Sequence, residues 1–198
     1  KMFIMKKLLL ILILTFSFQS WTKADDIRDF EIEGISIGDS LLNFYDENKI
    51  IQKLDTTKQY YDDNEFMLIS FSNNTSTYES LRFHLKTNDN SYKIYQISGS
   101  DSMNFENCKI KKDQISNELE ILFGSSKRQN GKIKNHAYDK SGRSKTFSNY
   151  FNLDSGRIRI MCTLWSFELK KEKNWKDKLT VGIYSKEISD WINNKAYK

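Results

Sequence analysis

Hydrophobic and polar positions change period several times along the chain, and each change predicts an element. Residues 27–33 alternate, with Phe30 and Ile32 on one side and Asp29, Glu31 and Glu33 on the other, the period of a half-buried strand. Gly34-Ile35-Ser36-Ile37-Gly38 then reads as a turn. Asp39 or Ser40 can cap a short helix carrying Leu41, Leu42, Phe44 and Tyr45, which Ile50, Ile51 and Leu54 extend or restart. The segments 59–62, 65–72, 78–86 and 91–98 read as successive strands, separated by the turn-forming runs Asn73-Asn74-Thr75-Ser76 and Asn88-Asp89-Asn90. Over 105–123 the period becomes helical. Cys108, Ile115, Leu119 and Leu122 share one face, and Gly124 stands where a helix stops. Strand character returns at 145–153 and 156–167 around the turn Asp154-Ser155-Gly156, and again at 179–184. Ser185 can cap a last helix with Ile188, Trp191 and Ile192 inward. The expected fold class is α+β. An antiparallel β-sheet carries one long central helix and short N- and C-terminal helices packed on one side of it. Two small lobes meeting near residue 104 are the alternative.

The N-terminal segment has a different logic. Lys6 and Lys7 precede an uncharged run of 11 residues, Leu8 to Phe18, and small and polar residues follow up to Ala24. That order of charge, apolar run and small residue describes a secretory signal peptide. The run is short of the roughly 20 apolar residues that a membrane span needs. Residues 1–24 are therefore expected to be a signal peptide and 25–198 a single exported domain, periplasmic or secreted, with no stable membrane span once the signal is removed.

This changes the meaning of the charge. The full chain has a formal net charge of +5, with 31 Lys and Arg against 26 Asp and Glu. Four of those bases lie within residues 1–24, so the remainder is nearly neutral at +1. The neutrality hides a division: residues 25–107 carry −9 and residues 108–198 carry +10. Such halves attract each other within one fold, over a range that salt limits to about 10 Å. A sharper consequence is an anion-binding face built from Lys127, Arg128, Lys132, Lys134, Arg143, Lys145, Arg157 and Arg159. No aromatic interleaving or recognition helix accompanies these bases, which argues against a nucleic-acid partner.

Candidate chemistry is sparse. Cys108 and Cys162 are the two cysteines, too few for a disulfide scaffold or a four-cysteine zinc site. In an oxidising compartment such a pair is expected to form a disulfide tying the main helix to the strand after it. The run Gly34 to Gly38 matches G-x-S-x-G, the pattern of a nucleophile elbow, with Ser36 as nucleophile and His84 or His136 as its base. Only about ten residues of the exported chain precede Ser36, too few for the earlier strand unit that supplies an oxyanion hole in that fold. The bland alternative is a strand-to-helix corner shaped by the two glycines. Two separated histidines without an i,i+4 partner do not spell a zinc site. Asp62-Asp63-Asn64-Glu65 lacks the ligand spacing of a calcium loop and reads as a solvated turn. Trp165, Trp175 and Trp191 could line a sugar-binding face, yet Trp165 and Trp191 fall in core phase. No cofactor is expected.

Composition leans on Lys, Asn, Ile, Phe and Tyr with no Pro, a bias that looks like an AT-rich bacterial genome. The stretch from Asp29 to Leu41 and the run Cys162-Thr163-Leu164-Trp165-Ser166 resemble a group of small exported bacterial proteins with no assigned function. Gly34-Ile35-Ser36-Ile37-Gly38-Asp39-Ser40 is also similar to the strand–turn–helix opening of small envelope proteins with helix-on-sheet folds. The resemblance carries over no catalytic residues. The expected function is a non-catalytic binding or interaction module of the bacterial envelope, its partner an envelope protein or an anionic polymer. The alternatives are a small periplasmic serine hydrolase using Ser36 and a binder of an anionic envelope polymer through the basic face.

Overall fold

The computed structural model describes residues 26–56, 61, 63–72 and 77–196. The expected signal peptide, the strand at 59–62 apart from Tyr61, and the turn at 73–76 lie outside the described residues. The chain is α+β. A two-stranded hairpin, β1 (Glu31–Ile32) and β2 (Ile35–Ser36), is followed by α1 (Glu47–Thr56) and the meander β3 (Phe66–Ser72), β4 (Ser80–Lys86) and β5 (Ile94–Ser102). The long helix α2 (Phe105–Phe123) leads to the short strands β6 (Arg128–Asn130) and β7 (Lys134–Asn135). A second meander then forms from β8 (Lys145–Leu153), β9 (Gly156–Leu164) and β10 (Lys178–Ser185), with α3 (Phe167–Lys173) inserted before β10 and α4 (Lys186–Asn194) after it.

The two meanders form one eight-stranded antiparallel sheet in the order β3-β4-β5-β10-β9-β8-β6, with β7 also on β8. The last strands of the two meanders, β5 and β10, meet in the middle and pair over seven residue positions. The connectivity of a helix followed by a three-stranded meander thus occurs twice, although the sequence shows no repeat.

Register gives the sheet two unlike faces, because alternate side chains point to opposite sides. On one face Ile69 pairs across to Phe83, Phe83 to Ile97, Ile97 to Ile183 and Ile183 to Ile158. These residues are buried against Ile32, Ile35, Leu41 and Ile50 from the N-terminal segments and against α2. The opposite face carries Arg82, Ser98, Gly182 and Arg159 in the same register.

The long helix spans the expected 105–123. Asn104 caps it by accepting from Asn107 N–H, and Gly124, at φ 82°, ends it. Its inward stripe matches the expected one at Cys108, Ile115 and Leu119, which pack on the core, and differs toward its end. Cys108, Lys112, Ser116 and Phe123 are buried, whereas Leu122 is largely exposed. The Cys108–Cys162 disulfide forms, with Cα atoms 5.8 Å apart, and decides this rotation by pinning one turn of α2 over β9. Ser185 caps α4 as expected, accepting from Ile188 N–H.

Two expectations are corrected. The helices do not lie on one side of the sheet: Ile188 and Trp191 of α4 pack with Phe66 and Tyr95 on the face opposite α2. The elements are also not limited to three helices, since α3 begins where strand was expected to run on to Phe167; Ser166 caps it by accepting from Leu169 N–H. A smaller difference lies at Gly34. The positive φ of Glu33 (57°) and Gly34 (74°) closes the β1–β2 hairpin there, so the turn comes before Ser36 and not around it.

The disulfide closes a loop with 54 residues of sequence separation. Replacing both cysteines by alanine should lower the urea unfolding free energy by about 3–4 kcal/mol. Alkylation of the unreduced native protein should label neither cysteine.

Candidate functional site

The face of the sheet opposite α2 is polar and only partly covered. Tyr184, Arg157 and Asn152 lie in one row across it beside His84 and Gln96, and α4 closes over that end. Farther from α4 the next rows are Arg82, Ser98, Gly182, Arg159 and Tyr150, then Ser80, Ser100, Thr180, Met161 and Ser148, then Ser102, Lys178, Thr163, Thr146 and Lys134. The floor is therefore made of small hydroxyl side chains. Ser98, Ser100, Thr180, Thr163 and Ser148 are all buried, overhung by long neighbours. Ser100 and Thr180 hydroxyls bond each other at 2.9 Å, and Arg159 Nε donates to Ser148 Oγ at 3.1 Å.

The long neighbours are cations. Burial, and then the charge of Arg82, push the Lys178 ammonium down to about 8. Burial, and then the charges of Lys178 and Arg159, hold the His136 imidazole below its usual range. Lys178 thus lies near Arg82, and His136 near Lys178 and Arg159, with Asp139 acting on His136 in the opposite sense. Among the described residues none of Arg82, Lys178 and Arg159 has a carboxylate within ion-pairing distance, although ion pairs form elsewhere among them, as at Arg128–Glu120 and Arg143–Glu168. Thr163, beside Lys178 in the register, has a hydroxyl that is buried without a hydrogen-bond partner. A buried polar atom left unmatched costs about 1–3 kcal/mol, so such a group is a place to look for a ligand.

Two walls bound this surface. On one side the loop between β6 and β7 forms a groove of about 300 Å³ with Lys132, Lys134, Arg159, Thr146, Ser148 and Tyr150. Gly131 lets that loop lie against β8: its N–H donates to Ser148 O at 2.8 Å, and a Cβ there would sit 2.3 Å from the same oxygen. At the end of the rows stands an aromatic cluster, His136 on Trp165 at 4.3 Å and Trp165 on Trp175 at 4.4 Å between ring centres.

The eight bases proposed from sequence do not form one face. Arg159 lies at the centre of the polar surface, and Lys132 and Lys134 are on its rim. Arg157 turns toward α4, donating to Ser189 Oγ, and lines a second groove that also holds Asp154 and Asp190. Arg128 reaches back to Glu120 and Asn117 on α2, Lys127 pairs with Asp154, and Arg143 pairs with Glu168. Lys145 is held by Asn135 Oδ1 and Gly142 O. A run of bases cannot share a face when its residues alternate along strands and its neighbours include carboxylates. The cations that complete the cluster, Arg82 and Lys178, come from β4 and β10, outside the eight bases of the expected face. Their alternation with apolar residues in β4 and β10 was the one available signal.

Ser36 lies in β2, where its hydroxyl donates to Phe30 O at 3.3 Å. Neither histidine bonds it. His84 is buried under α4, its Nδ1 against Gln96 Oε1 at 2.5 Å and its Nε2 against Tyr61 Oη at 2.7 Å. His136 Nδ1 accepts from Tyr138 N–H. Asp63 accepts from Trp191 Nε1 and from Glu65 N–H, while Glu65 pairs with Lys195; Asp62 lies outside the described residues. Among the described residues no group of three His, Cys, Asp or Glu is placed to hold a metal ion. No helix among them is long and apolar enough to cross a membrane.

No protein-family model matches the chain, and neither the curated proteins nor the solved structures provide a match. The functional reading rests on the geometry above.

His84 generates a pH prediction. Burial is the main cause that lowers its imidazole to about 4, against an ordinary 6.5. The folded state holds it neutral while the unfolded state protonates it, so stability is complete above pH 6.5 and falls as pH drops toward 4. A shift of this size corresponds to about 3 kcal/mol. Asp26 and Asp139, held below the usual carboxylate range mainly by hydrogen bonds, lose their contribution only at lower pH. Urea unfolding between pH 7 and 4 should show the loss, and it should be much smaller in H84Q.

Proposed function

We propose that this protein is an exported, non-catalytic binding module of the bacterial envelope that takes an anionic group on the open polar face of its sheet. The observation that carries this reading is the gathering of Arg82, Lys178 and Arg159 on one face of the sheet, with no carboxylate within ion-pairing distance of them among the described residues. Like charges held together at a partly desolvated surface are unfavourable alone and favourable around an anion. The hydroxyl floor supplies neutral donors, and the fully buried hydroxyl of Thr163 has no partner among the described residues. Arg159 presents a planar guanidinium suited to carboxylate or phosphate, and Lys178 a point charge.

The groove of Lys132 and Lys134 continues the positive surface to the sheet edge. An anionic polymer laid across the rows would meet Arg82, Arg159 and then the groove. The apolar-run signal at the N-terminus and the disulfide support an oxidising compartment outside the cytoplasm.

The test is calorimetric titration of the purified protein with polygalacturonate and with polyphosphate, at low and at high salt. Binding should weaken as salt rises. K178M and R159M should each weaken it by about tenfold or more, because a hydrogen bond to a charged group is worth about 1.5–3 kcal/mol. R143M, whose charge is already paired, should change little. Above about pH 8 Lys178 loses its proton in the free protein, so wild-type affinity should fall there and K178M affinity should not follow it. Binding that is indifferent to salt and to both substitutions would contradict the proposal.

A further inference from the structure

The inward stripe of α2 contains a side chain that a core does not ordinarily hold. Lys112 is 1% exposed, one helical turn beyond the disulfide, and its Nζ lies 4.1 Å from the centre of the Phe147 ring. Its carboxylate partner is Asp113, whose Oδ1 accepts from Nζ at 2.5 Å and whose side chain is about half exposed. The same Oδ1 is reached at 3.4 Å by the side-chain amide Nδ2 of Asn149, a fully buried residue of β8. Asn149 Nδ2 also donates to Ser116 Oγ at 3.0 Å, and its carbonyl Oδ1 is buried with no partner. One carboxylate oxygen therefore bridges a buried amine and a buried primary amide, beside an aromatic ring that excludes water.

We propose that Lys112 and Asn149 become joined by an intramolecular isopeptide bond, with Asp113 carrying the protons. The ammonium of Lys112 passes one proton to Asp113, and the freed lone pair on Nζ attacks Cγ of Asn149. The Nζ–Cγ bond forms while the carbonyl electrons move onto Oδ1. A second proton passes from Nζ to Nδ2 by way of Asp113. The carbonyl re-forms, the Cγ–Nδ2 bond breaks, and ammonia leaves, taking up the first proton as ammonium. Nothing is oxidised or reduced, and no co-reactant is consumed.

Three features favour the product. Burying an ammonium is costly, and a secondary amide removes that charge from the core while keeping one N–H for Asp113. Asn149 is held beside Asp113 through its Nδ2, while its Oδ1 has no hydrogen bond to lose as the nitrogen attacks. Asp113 stands at the rim and offers ammonia a way to water. The bond would be a second covalent tie between α2 and the sheet, from Lys112 to β8 beside the one from Cys108 to β9. It lies on the face opposite the cation cluster and does not depend on the anion-binding proposal.

Mass spectrometry of the purified wild-type protein, denatured and reduced, decides the matter. The intact mass should lie about 17 Da below that of the linear chain, the mass of ammonia. Protease digestion should give one branched peptide containing both Lys112 and Asn149, with no cleavage after Lys112. D113N should keep the linear mass. A wild-type linear mass would overturn the proposal. So would a loss of about 17 Da confined to a single unbranched peptide, as an Asn130-Gly131 succinimide would give. Cross-linked D113N would overturn the role of Asp113.

Discussion

The structure depends on a register constraint in the central sheet. Only one face of the sheet can be buried by α2 and the N-terminal segments, so a one-residue slip of β10 would exchange Leu179, Val181 and Ile183 for Lys178, Thr180, Gly182 and Tyr184. The pairing of Ile183 with both Ile97 and Ile158 makes that slip costly. The same pairing places Lys178 beside Thr163 and Gly182 beside Arg159 on the other face. The core thus fixes the geometry of the cation cluster without any of the cations needing a partner of its own. The disulfide adds the rotation of α2, which turns Lys112 and Ser116 toward β8.

Local features were legible in the sequence because local physics decides them. The end of α2 follows from Gly124, the β8–β9 hairpin from Asp154-Ser155-Gly156, and the start of α4 from the Ser185 hydroxyl. The Cys108–Cys162 bond followed from the count of cysteines and the expected compartment. The meeting of β5 with β10 did not, since nothing near Ser100 in sequence refers to Thr180. The face that α2 presents was misjudged at Leu122 because helical periodicity weighs apolar residues and gives no weight to a buried lysine. The candidate site suffered most. Arg82 lies in the acidic half of the chain and Lys178 outside the basic stretch, so charge counted along the chain separates residues that the sheet brings together.

The two proposed sites share an origin in unmatched polar groups. Where Arg143 meets Glu168 or Lys170 meets Asp177, charge is settled within the fold. Thr163 and Asn149, which are neutral, instead carry the buried side-chain atoms left without hydrogen-bond partners among the described residues. One lies in the buried floor beneath the cations of the open face. The other lies under α2 beside a buried amine, where the chain itself supplies the reactant. His84, by contrast, is bonded through both ring nitrogens and enclosed by Trp191 and Tyr61, which suits it to structure and not to chemistry.

The central claim is that an anion binds on the polar face, and backbone amide chemical shifts during titration of the labelled protein with polyphosphate test it most directly. The account predicts shifts concentrated at Arg82, Ser100, Arg159, Thr163, Lys178 and Thr180, saturating with added polymer and reversed by salt. Shifts confined to the outer surface of α2 or to the paired bases Arg128 and Arg143, or no shifts at all, would contradict it.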